Sequence, residues 1–124
     1  MKNKLTQLLT NAYSPIDNLA FACAIEMNDG EIFYGVNVKN SVYRDAIYAE
    51  QAAIGAAITA GYKAQDFIKM NILVNTQKLT DFRFLRNSII SEFFAPNCFI
   101  ELMNLKGEVK LIKAGDLNLP FLNI

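Results

Sequence analysis

The sequence has no histidine and no tryptophan, two cysteines, three prolines, and no net charge over 124 residues. Each shortage excludes something. Without histidine the commonest metal ligand is missing. Cys23 and Cys98 are too few for a disulfide framework, and each reads as a small apolar side chain. Twelve acidic residues balance twelve basic ones, whereas a general nucleic-acid binder is distinctly basic. No apolar run reaches the roughly 18 residues of a membrane span. The N-terminal MKNKLTQLL carries lysines, but no signal-like apolar core or small-residue cleavage site follows. The expectation is a cytoplasmic protein with no nucleic-acid and no membrane partner.

What is present is core-forming material. The chain is 52% apolar and 19% charged, a globular mix of a length that suits a single domain over residues 1–124. Leu5, Leu8, Leu9 and Ala12 recur at helical spacing, which predicts a short amphipathic helix over residues 3–12. SPIDN at 14–18 is turn chemistry. Residues 19–27 predict a buried strand, Asn28-Asp29-Gly30 a hairpin turn, and residues 31–38 its returning strand. A largely apolar helix is expected over 47–60, with Gly61 past its end. Residues 68–74 read as a third strand, 84–94 as a core helix closed by Pro96, and 98–103 with 108–113 as a hairpin around Lys106-Gly107. This order defines an α/β fold with helices packed on a mixed sheet.

One stretch asks for more. IYAEQAAI, residues 47–54, opens the apolar helix with a carboxylate, Glu50, in its first turn. An acid there offsets the helix dipole, and that alone explains it; the alternative is that Glu50 belongs to a site.

The segment from Ser14 to Ile54 resembles the cytidine deaminase family. That family typically reads SPYSNF, a DG hairpin, G-C-N-V-E-N, then C-A-E opening an apolar helix. Here the matching residues are Ser14-Pro15-Ile16-Asp17-Asn18-Leu19, Asp29-Gly30, Gly35-Val36-Asn37-Val38-Lys39-Asn40 and Tyr48-Ala49-Glu50. Further on, the family's P-C-x-x-C motif opens a helix ending in S-E-F or S-E-L. Counting back without a gap from Ser91-Glu92-Phe93 puts the two motif cysteines on Arg83 and Arg86. The resemblance implies a cytidine-deaminase-like three-layer α/β/α sandwich with a mixed five-stranded sheet.

The family holds a catalytic zinc on three cysteines and uses the glutamate of C-A-E as proton shuttle. The resemblance therefore assigns the shuttle position to Glu50 and the ligand positions to Tyr48, Arg83 and Arg86. A protonated arginine has no lone pair for a metal, and zinc needs three donors of the Cys, His, Asp or Glu kinds. No zinc and no other cofactor is expected. One or both arginines filling the vacated space and pairing with Glu50 is one expectation. Solvated arginines beside a dipole-partner Glu50 are another, and a hard-ion site from Glu50, Asp45 and Asp81 a third. On the ligand side the resemblance implies Asn37, Lys39, Leu19 and Ala49. Lys39 stands where the family has a carboxylate that holds sugar hydroxyls. The function expected is a nucleoside-binding or structural homologue without deaminase activity. Its alternatives are an active nucleoside deaminase with an atypical site, or an anionic-nucleotide module using Lys39, Arg83 and Arg86. The resemblance also implies a homo-oligomer, a tetramer or dimer, with small residues 55–57 and Ala60 available for helix contacts.

Overall fold

The structure, a computed structural model, describes residues 2–41, 46–77, 79 and 89–118. Arg83 and Arg86, Asp45 and Asp81, and the first part of the helix expected over 84–94 lie outside the described residues.

Alternation of side chains builds the sheet. On β1 (Phe21–Met27), Phe21, Cys23, Ile25 and Met27 face one layer, while Ala22 and Ala24 face the other. The strand is buried on both faces, so it reads as a continuous apolar run. The Asn28-Asp29-Gly30 turn, with Gly30 at φ 92°, returns the chain as β2 (Ile32–Val36). The two strands pair antiparallel from Ala22 with Val36 to Glu26 with Ile32. β3 (Phe67–Val74) pairs antiparallel to the other edge of β1, β4 (Phe94–Asn104) runs parallel to β3, and β5 (Val109–Lys113) closes antiparallel to β4. The sheet order is β2-β1-β3-β4-β5, a mixed five-stranded sheet.

Helices cover both faces. α1 (Lys2–Leu9) buries Leu5 and Leu9 against Ala22, Ala24, Leu73 and Met103. α2 (Ala49–Thr59) and the short α3 (Ile89–Phe93) pack on the opposite face over the larger core, with Ile25, Met70, Ile72, Ile100 and Leu102. The α2 sequence is apolar nearly all round, yet only one side is enclosed: Ala49, Glu50, Ala53, Ile54 and Ala57 are buried, while Gly55, Ile58 and Ala60 remain exposed.

α2 lies close against β2 because position 35 is glycine. A Cβ there would stand 2.5 Å from the Ala49 carbonyl oxygen and 2.5 Å from the Ala53 nitrogen, inside any real contact distance. The glycine thus sets the height of the helix, and of Glu50, above the sheet.

Pro96 does not close the helix as expected. The helix ends at Phe93, and β4 begins at Phe94 with Pro96 inside it. A register shift between Phe67 and Lys69 on β3 leaves residues 95–98 bulged out of the ladder, since Phe67 faces Phe94 and Lys69 faces Phe99. A bulge is where a strand tolerates a residue with no N–H to give.

Candidate binding site at the mouth of helix α2

The end of β2 and the start of α2 place Asn37, Lys39, Tyr48, Ala49 and Glu50 close in the chain at one end of the sheet. Beyond β2 the chain stays extended. Val38 bridges Tyr13 on one side and Ile47 on the other, with Val38 N–H to Ile47 O and the reverse bond both at 2.8 Å. This ladder delivers the chain to Tyr48, the extended residue before α2. Gln51 Oε1 accepts from the Tyr48 N–H at 3.0 Å, tying off one of the open donors of the helix start. Tyr48 itself is half exposed, at 42%.

Two residues on, Glu50 is only 2% exposed. A carboxylate that merely offsets a helix dipole has no reason to be inside. It stands over β1 at Cys23: burial pushes that thiol well above its ordinary range, and the Glu50 charge pushes it further. Cys23 is therefore held neutral. Ala49 is buried against Gly35 below it.

Asn37 is 0% exposed. Its Oδ1 accepts from the Phe21 N–H at 2.7 Å and its Nδ2 donates to the Leu19 carbonyl at 2.8 Å. The amide thereby takes over the ladder where β2 has ended, and fixes the backbone on either side of Ala20. Leu19, half-buried, packs on the main core.

Among the described residues Lys39 is the other buried charged group. It is 9% exposed, with Nζ 3.3 Å from Asp17 Oδ2 and 5.6 Å above the Phe21 ring. Phe21 and Cys23 lie two apart on the same face of β1, about 6.7 Å from each other. Lys39 and Glu50 thus stand over neighbouring rungs of one strand, an ammonium and a carboxylate above an apolar floor. Leu19, Asn37, Ala49 and Tyr48 lie on the chain segments that carry or adjoin these two groups.

Asp17 was not among the predicted site residues. The Ser14 hydroxyl and the Leu19 N–H both donate to its Oδ1. Those bonds, chiefly the Ser14 one, with Lys39 adding to them, hold its carboxyl at about 2. The only signal in the sequence was that position 17 gains an acid where position 39 gains a base. The pair also bears on the anionic-nucleotide reading, because Lys39 already has a carboxylate partner.

The thiols among the described residues are not placed to hold a zinc ion. Cys23 is a buried neutral thiol on β1, and Cys98 on β4 faces the Phe67 carbonyl at 3.8 Å. Among the described residues no group of three or more His, Cys, Asp or Glu is placed to hold a metal. Tyr48 stands at the helix mouth with no thiol or imidazole to offer.

An α/β/α sandwich with a mixed sheet and a buried glutamate opening a helix against a β-hairpin defines the architecture. The model of the cytidine and deoxycytidylate deaminase zinc-binding region matches residues 1–77, and the chain belongs to this family. A crystal structure of cytidine deaminase from Burkholderia pseudomallei superposes with a TM-score of 0.83 at 30% identity, covering 95% of this chain and 92% of that one. The cytidine deaminase of Mycoplasma genitalium is 34% identical over 65 residues, 52% of this chain and 49% of the relative. That of Sporosarcina psychrophila is 27% identical over 99 residues, 80% of this chain and 71% of the relative. The chain thus spans about half the length of the Mycoplasma relative it matches.

Proposed function

We propose that this chain is a nucleoside-binding member of the cytidine deaminase family that works without zinc and does not deaminate. The observation that carries this reading is the residue at the mouth of α2: Tyr48, two residues before the buried Glu50, stands where the family has a zinc ligand. Arg83 and Arg86 match the remaining ligand positions and have no lone pair to offer. Water attack on a cytosine ring without a metal would rest on general base catalysis, worth about 10²–10⁴-fold, a small part of enzymatic acceleration. Glu50 is then a buried acid beside Cys23, and Leu19, Ala49, Asn37 and Lys39 are the further residues assigned to the ligand. The neutralised Lys39 favours an uncharged nucleoside over a nucleotide.

Retention of a buried Glu50, together with the names of the relatives, favours one second reading, an active cytidine deaminase with an atypical site. Elemental mass spectrometry of the purified chain, with a cytidine turnover assay and calorimetry with cytidine, separates the two. The expected result is well under one zinc per chain, no uridine formed and measurable cytidine binding. About one zinc per chain with turnover would establish the second reading instead.

Self-association is part of the proposal. Tyr13, Val38 and Ile47, joined rung to rung, all expose apolar side chains beside the site. On α2, Ala57 faces the core, so only Gly55, Ala56 and Ala60 of the small-residue stripe are available for contact. Light scattering giving a dimer or tetramer mass would support this; a monomer at micromolar concentration would count against it.

A further inference from the structure

We propose that Asp17 is a specificity-determining residue of this site, accepting hydrogen bonds from the hydroxyls of a neutral ligand and repelling a ligand that carries phosphate. The proposal rests on the nucleoside-binding reading above and names the residue that selects ligand charge. Lys39 is nearly enclosed, with its side chain 11% exposed, whereas that of Asp17 is 37% exposed. Of the two charges, the carboxylate is the one more open to a ligand. Both Asp17 oxygens are oriented: Oδ1 by the Ser14 hydroxyl and the Leu19 N–H, Oδ2 by Lys39. Each carboxylate oxygen has two lone-pair directions, so Oδ2, with Lys39 as its partner, can accept a further hydrogen bond.

The turn that carries Asp17 is braced from outside. Asn18 is held at φ 56°, its N–H bonded to the Ser14 carbonyl at 2.9 Å. Asn75, just past β3, donates from Nδ2 to the Asn18 carbonyl at 2.8 Å and accepts at Oδ1 from the Ala20 N–H at 3.0 Å. Asparagine tolerates that left-handed backbone at low cost. The carboxylate is thus fixed in place by two neighbours in the fold, as a group that reads a ligand must be.

A phosphate brought to Lys39 would lie beside an ionised Asp17, and like charges held close disfavour binding. A sugar hydroxyl meets an oriented acceptor instead. The charge at position 39 is reversed relative to the family, and Asp17 returns an acceptor to the same corner from a different strand connection.

The test is calorimetric titration of the full chain with cytidine, cytidine monophosphate and inorganic phosphate, for the wild type and Asp17→Asn. The wild type should prefer cytidine over its monophosphate by at least about tenfold, and Asp17→Asn, which frees Lys39, should shift that ratio toward the monophosphate by about tenfold or more. Inorganic phosphate should bind the variant more tightly than the wild type. In the wild type the preference should shrink between low and high salt, because repulsion of this kind is screened; this arm holds if the variant does not fold. An unmoved ratio in a folded variant, or a preference indifferent to salt, overturns the role of Asp17 while leaving nucleoside binding intact. A wild type that binds neither ligand overturns both.

Discussion

At the residue scale the site is defined by polar groups that are buried for stated reasons. Asn37 is the clearest. Its amide replaces ladder hydrogen bonds between the end of β2 and the start of β1. Asn37→Ala leaves the Phe21 N–H and Leu19 carbonyl without those partners in a place water reaches poorly, and should lower stability by about 2–3 kcal/mol. A urea midpoint within error of the wild type would show the amide to be dispensable. Glu50→Gln should cost about 1–3 kcal/mol, because a carboxylate 2% exposed persists only where its surroundings favour the charge; unchanged unfolding would return Glu50 to the part of a dipole partner. Glu50, Asn37 and Lys39 were legible because a motif marks their positions. Asp17 was not, since its importance comes from a contact 22 residues away, and a turn acid beside Ser14 reads locally as ordinary turn chemistry.

At the element scale, most of the architecture was legible because local signals and tertiary packing agree. The Asn28-Asp29-Gly30 turn set the β1–β2 register, and Gly61 marked the end of α2. Where signals conflicted the reading shifted. Pro96 has the local signature of a helix stop, but the helix ends at Phe93 and the proline lies in a strand bulge. All five residues of β2 are half-buried, because an edge strand under α2 and beside α1 is partly covered on both sides. Nothing local distinguishes Gly35 from a weak strand residue; its role follows from the helix that crosses it. Gly35→Ala places a methyl against the backbone of Ala49 and Ala53, which cannot turn aside as a flexible side chain would. The helix start must lift, at a cost of about 2–3 kcal/mol or more, and Glu50 moves with it. The expected result is a lower melting temperature together with loss of cytidine binding at temperatures where the variant is still folded. Full binding in a folded variant would separate helix height from the site.

At the scale of the whole molecule, zero net charge removes global repulsion as a pH-dependent influence near neutrality, so individual groups dominate the stability profile. Asp17, at about 2, and Asp29, lowered chiefly by the Tyr62 hydroxyl and then by the Glu31 N–H, bind fewer protons folded than unfolded. Both contributions are complete above the ordinary carboxylate range; that of Asp17 is lost as pH falls from about 4 toward 2, and that of Asp29 is lost as pH falls below that range. Tyr62, whose hydroxyl donates to Asp29 Oδ2 at 2.6 Å, is pushed up to about 12. A raised acid is protonated in the folded state where the unfolded one ionises, so its contribution is complete below about 10 and is lost as pH rises toward 12. These contacts tie the β1–β2 turn to the end of α2 and so join the two elements that frame the site. Urea midpoints measured from pH 2 to pH 7 should therefore show Asp17→Asn less stable than the wild type near neutrality, by under about 1 kcal/mol because the pair is partly solvated. The two should converge as pH approaches 2. A difference that persisted undiminished to the lowest pH would mean that Asp17 acts through the shape of its turn rather than its charge. The charge-based account of ligand selection would then lose its physical basis along with the acid-linked stability.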